Sequence, residues 1–114
     1  MPVLVNPKGV DHAQSLIDSH HYVKDSDWST AQPSPDDEND LLDRNGWDDF
    51  ARWHLAEDTD ENEGTKARYK FPYGDFRRVH RSGLIAAKQR AASEHYDDVE
   101  DAADRLLQQI PDPD

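Results

Sequence analysis

The sequence predicts an all-α fold, a small irregular bundle of about five helices, and three observations carry that expectation. Apolar residues recur at helical spacing along most of the chain. Helix-starting and helix-stopping residues bracket those stretches. Alternating patterns are absent beyond a short extended piece at Val3-Leu4-Val5, at most a token strand.

In chain order, Asn6 reads as an N-cap and Pro7 as a first-turn proline. Val10, Ala13, Leu16 and Ile17 then form the inner face of a helix over residues 7–20. Asp25 to Ser29 is loop chemistry, with Trp28 as an anchor into the core. Ser34-Pro35-Asp36-Asp37 starts a second helix: Ser34 caps, Pro35 suits the first position, and the acids complement the helix dipole. Leu41 and Leu42 are its apolar face, and Asn45-Gly46 stops it. Trp47, Phe50 and Ala51 share one face of a third helix that reaches Trp53 or Leu55. Glu57 to Glu63 is an acidic loop closed by Gly64.

Tyr69 to Gly74 cannot be regular helix, because Pro72 and Gly74 interrupt it. Asp75 is the expected N-cap of the longest helix, over residues 76–94. Its core face would be Phe76, Val79, His80, Gly83, Ala87 and Ala91, with Leu84 beside it. That stripe of small residues admits a closely packed neighbour. A last helix over residues 98–109 turns Val99, Ala102, Ala103, Leu106 and Ile110 inward, and Pro111 ends it. One helical domain over residues 1–110 is expected, with a flexible tail at 111–114 and further loose parts at the first residues and around residue 60.

Composition limits the function. Leu, Ile, Val and Phe number 20 of 114 residues, so the core is small and leans on three Trp and four Tyr. The net charge of −12 opposes nucleic acid and anionic membranes, and fits a basic partner, cations or a high-salt cytoplasm. No Cys is present, so disulfides, thiolate nucleophiles and Cys-ligated zinc are excluded. No stretch reads as a signal peptide or a membrane span, and a cytoplasmic protein is the expectation.

The charge is unevenly placed. Residues 66–90 hold eight of the thirteen Lys and Arg against Asp75 alone, a segment charge of +7. Residues 34–63 hold twelve acids and two bases, −10. Either the acidic segments cover the basic one, or the basic one is open to an anionic partner. The candidate binding residues are Lys66, Arg68, Tyr69, Lys70, Phe71, Tyr73, Arg77, Arg78, His80, Arg81 and Lys88. Interleaved rings and cations over 68–73 are the pattern that stacks bases and neutralises phosphates, and equally the pattern of an aromatic clamp across a core. Arg77, Arg78 and Arg81 near a helix start would favour an anion, although Asp75 as cap would occupy the donors there.

Other chemistry is thin. The loop from Asp58 has Glu63 at position six and Tyr69 at position twelve, where a calcium loop needs Gly and Glu. The six histidines include no pair at metal-binding helical spacing, so no metal and no cofactor is expected. Ser82 beside His80 lacks an elbow and an orienting third group in the sequence, so no catalytic residue is assigned.

The run from Tyr69 to Ala92, His95-Tyr96-Asp97, Ala102-Ala103, Gln32-Pro33-Ser34 and Trp53-His54-Leu55 resemble a family of small acidic bacterial proteins of unknown function. The likeness extends through most of the chain and implies no activity. The Lys70-to-Asp75 run leading into Val79-His80-Arg81 is similar, over a smaller part, to a helical module of phage-head-associated proteins. The expected function is therefore a non-enzymatic interaction domain that binds a protein partner through residues 66–90. A nucleic-acid or phosphate binder using the same segment is the alternative, and a small or metal-dependent enzyme near His80 or His54 the second.

Overall fold

The protein mixes helices with two small sheets, which corrects the all-α expectation. The computed structural model describes residues 3–112. Its elements are β1 (Val3–Val5), α1 (Pro7–Asp18), β2 (Tyr22–Val23), α2 (Trp28–Ala31), α3 (Pro35–Ala51), β3 (His54–Asp58), β4 (Tyr69–Pro72), β5 (Val79–His80), α4 (Arg81–Ser93) and α5 (Asp97–Leu107), with a 3-10 turn at Lys66–Arg68. β1, β3 and β4 form an antiparallel sheet with β3 in the middle. β2 and β5 form a two-stranded parallel pair.

The strands escaped the sequence reading for a physical reason. His54, Leu55 and Ala56 of β3 are all buried, because α1 and α5 also pack against this central strand. Burial on both sides removes the alternation by which a half-exposed strand is recognised. The remaining residues, Glu57 and Asp58, read as the start of an acidic loop, yet they pair with Leu4 and Val3. The first described residues are thus tied into a sheet. The expected tail lies partly outside the described residues, and Asp112 is engaged by Arg81 at 2.9 Å.

Helices with strong local signals form where expected. Ser34 and Asp37 make a reciprocal capping box, with Ser34 Oγ accepting from the Asp37 N–H at 3.1 Å and Asp37 Oδ2 accepting from the Ser34 N–H at 3.0 Å. Gly46 breaks α3 into two helical pieces, with φ 81° and ψ −175°. Phe50 and Ala51 are buried on the second piece, which ends at Ala51 and not at Leu55. In α5, Val99, Ala103 and Leu106 face inward, and Ile110 follows them into the core.

The expected longest helix is shorter and starts later. Phe76 has φ 70°, which no helix accommodates, and Val79-His80 is strand. The helix begins at Arg81 and buries Gly83, Leu84, Ala87 and Ala91, packing on α5. Asn6 is also not the side-chain cap of α1. Its amide crosses the core to donate to the carbonyls of Ala51 at 2.9 Å and His54 at 3.1 Å.

Two helices end alike. After α1, His20 has φ 63°, with its N–H on Ile17 O and the His21 N–H on Leu16 O. After α4, His95 has φ 64°, with its N–H on Ala92 O and the Tyr96 N–H on Ala91 O. Both are Schellman ends carrying His where glycine is usual. A left-handed L-residue costs about 1–2 kcal/mol, partly offset by the extra chain entropy of an unfolded glycine. His20→Gly and His95→Gly should each raise stability by about 0.5–1 kcal/mol in urea unfolding. A loss in both would show that the histidine rings contribute more than the strain they impose.

Candidate functional site

The basic segment does not form one open face. Lys66 meets Glu38 at 3.3 Å, and Arg68 meets Glu57 at 2.8 Å while donating to the Glu61 carbonyl at 2.9 Å. These two contacts join the basic segment to the acidic one. Lys88 meets Asp104 on α5 at 2.8 Å, an exposed pair that raises the lysine's pKa and lowers the aspartate's. Arg90 lies 3.8 Å from Glu94. Arg81 reaches Asp112, and its Nε is buried with no hydrogen-bond partner among the described residues. Lys70, Arg77 and Arg78 make no ion pair among the described residues.

The aromatic residues divide between core and groove. Tyr73 is fully buried beside Trp53 and donates to the Arg52 carbonyl at 2.6 Å. Burial, with a smaller contribution from Asp49, pushes its phenol far up. Tyr69 stacks on Trp47 and meets Phe50 edge-on, and burial raises its pKa also. Phe71 is buried with φ 62°, and Tyr96 meets its ring at 86°. A bulky side chain is disfavoured in that left-handed region, so packing holds it there.

Beside β4 lies a groove of about 580 Å³, between the sheet and α4. Trp28, Tyr69, Phe71 and Tyr96 provide rings, and Lys70 and Arg90 provide cations. Asp58 and Glu94 also line it, as do Ala86 and Ala87 of α4. Its size falls in the usual range of ligand pockets, about 300–1,000 Å³. Only Tyr69, Lys70 and Phe71 of the eleven predicted residues line it. The other lining groups come from sequence positions far apart. Trp28 sits there because Gly83 leaves room: a Cβ on Gly83 would lie 2.8 Å from the indole and 2.7 Å from the Tyr73 carbonyl.

A second assembly surrounds His80. Asp75 does not cap a helix. Its Oδ1 accepts from the N–H groups of Arg77 at 3.0 Å and Arg78 at 2.8 Å, fixing a tight turn closed by the Asp75 N–H on the Arg78 carbonyl. Arg77 and Arg78 therefore project from a turn, not from a helix face. Asp75 Oδ2 lies 2.9 Å from His80 Nε2, and His80 Nδ1 lies 2.8 Å from Ser26 Oγ. Ser26 Oγ in turn lies 2.8 Å from Ser82 Oγ. Burial alone would push the Asp75 carboxyl up, but the hydrogen bonds from His80 and from Arg78 and Arg77 outweigh it and lower its pKa. An ionised carboxylate only accepts, so Nε2 carries a ring proton, and in the neutral imidazole Nδ1 then accepts from Ser26. The sequence singles out Asp75, His80 and Ser82 but not Ser26, which is 54 residues from His80.

Comparison with protein-family models, curated proteins and solved structures finds no match. Function must be argued from these two places. Among the described residues, no three His, Asp or Glu side chains gather as a metal site, and no helix is long and apolar enough to cross a membrane.

Proposed function

We propose that this chain is an interaction domain that holds a segment of a protein partner in the groove between β4 and α4. The observation that carries the reading is the ring-lined groove itself, with Lys70 and Arg90 set among Trp28, Tyr69, Phe71 and Tyr96. Partner segments anchor through aromatic and basic groups of this kind. Lys70 and Arg90 balance Asp58 and Glu94, so the groove is close to neutral within a chain of net charge −12. A segment with an apolar side chain for the rings and a carboxylate for Lys70 fits it. The activity proposed for the groove is binding.

The nucleic-acid reading of the same segment draws less support. Five of its eight cations, Lys66, Arg68, Arg81, Lys88 and Arg90, already face carboxylates.

Ala86 on α4 is half-buried at the groove wall, and Ala86→Arg would fill the groove from a position that tolerates a long side chain. Ala86→Arg and Lys70→Glu should each weaken capture of the wild-type partner about tenfold or more, with unfolding temperature little changed. Arg77→Glu with Arg78→Glu, on the separate turn, should leave capture intact. Equal recovery by the groove-filled variant would sink the reading.

A further inference from the structure

The Ser26–His80–Asp75 chain goes beyond the groove. We propose that Ser26 is an activated nucleophile that accepts acyl groups from esters, with His80 as its general base and Asp75 as the positioning residue. Three observations support this. The two hydrogen bonds, 2.8 Å from Ser26 Oγ to His80 Nδ1 and 2.9 Å from His80 Nε2 to Asp75 Oδ2, put nucleophile, base and orienter within reach of one another. The imidazole is turned end for end relative to the serine-protease arrangement, but the proton path is the same: one nitrogen is held protonated by the carboxylate, and the other presents a lone pair to the hydroxyl. Asp75 is itself locked by two backbone N–H groups, so the ring cannot follow a drifting carboxylate.

The surroundings suit the chemistry. His80 is buried at 5% exposure, while Ser26 and Ser82 keep partial exposure. Ser82 lies in the first turn of α4, whose N-cap His80 makes no side-chain cap bond, its ring being engaged instead by Ser26 and Asp75. The Trp28 ring lies 6.1 Å from the imidazole and provides an apolar wall for an acyl chain. In the step, a bond forms from Ser26 Oγ to the ester carbonyl carbon, and the hydroxyl proton passes to His80 Nδ1. The carbon–oxygen bond to the alcohol then breaks, and the alcohol leaves with that proton. Water reverses the sequence and releases the acid.

A purely structural role for the same bonds, tying the β2–α2 loop to β5 and α4, predicts stability without reactivity. The test uses the full chain and an alkyl fluorophosphonate, which loses fluoride as a Ser Oγ–P bond forms. Peptide mass spectrometry should place one adduct on Ser26. Ser26→Ala should abolish it, and Ser82→Ala should retain it. Asp75→Asn, checked for folding by circular dichroism, should slow labelling at least about 100-fold. No adduct on wild type, an adduct elsewhere, or unchanged labelling of Ser26→Ala would overturn the proposal. Labelling of folded Asp75→Asn at the wild-type rate would overturn the role of Asp75.

Discussion

Gly9→Ala is expected to destabilise the protein by about 3 kcal/mol or more, at the upper end of overpacking effects. Gly9 lies in the first turns of α1 and is buried. A Cβ there would stand 1.7 Å from the carbonyl oxygen of His54 and 2.7 Å from its carbon. Both atoms are backbone at the start of the central strand β3, so neither can swing aside. Relief requires α1 to lift from the sheet. That movement would stretch the Asn6 amide's bonds to Ala51 and His54 and the bond from the Asn6 N–H to the Leu55 carbonyl, now 2.8 Å. Alanine is favoured over glycine in a helix by about 1 kcal/mol, and this gain works against the clash. A displaced helix with two or three buried hydrogen bonds disrupted outweighs it. Against a total stability of about 5–15 kcal/mol, the loss would appear as a large drop in the urea midpoint. Gly64→Ala is the control: its nearest atom would be 3.6 Å away, and a change within about 0.5 kcal/mol is expected. Gly9→Ala unfolding at the wild-type midpoint would refute this account of how α1 docks.

What the sequence makes legible here is local. The cap at Ser34, the break at Gly46 and the inward stripe of α5 depend on neighbours within a few residues, and they formed as read except that Ala102 is only half-buried. What it conceals depends on distant partners. Val79-His80 is strand because Tyr22-Val23 runs parallel to it and the Tyr73–Gly74 backbone pairs with it on the other side. Phe71 and Phe76 occupy left-handed backbone that their side chains disfavour, so tertiary packing and not local preference sets the two bends. The same division holds for the candidate site. Composition marked residues 66–90 as unusual, but it could not show that Lys66 would find Glu38, or that Arg81 would find Asp112. Nor could it show that Trp28 and Tyr96 would complete a groove, because their positions are set by Gly83 and by the turn after α4.

Acid should weaken the fold well above the pH at which carboxylates titrate, and His54 is the reason. This residue is buried at 3% exposure in β3. Phe50 lies 4.7 Å from its ring and Tyr69 6.0 Å. Its Nδ1 donates to the Phe50 carbonyl at 2.9 Å, so the neutral ring is already satisfied. Burial lowers its pKa from 6.5 to about 4, and the bond to Phe50 offsets only part of that. Above pH 6.5 the ring is neutral in both states and the contribution is complete. As pH falls from 6.5 towards 4, the unfolded chain takes up a proton that the folded chain refuses, and stability is lost. The full loss is about 3 kcal/mol, from 1.36 kcal/mol per pKa unit. His12, lowered mainly by burial and also by Arg52, acts in the same direction. Asp75, whose pKa is lowered from 3.8, gives up its contribution only below this window. His54→Asn keeps an N–H for the Phe50 carbonyl and removes the titration. Urea unfolding at pH 7.5 and pH 4.5 should show a drop of about 2–3 kcal/mol in wild type and a much smaller one in His54→Asn. Equal drops in the two proteins would place the acid sensitivity elsewhere.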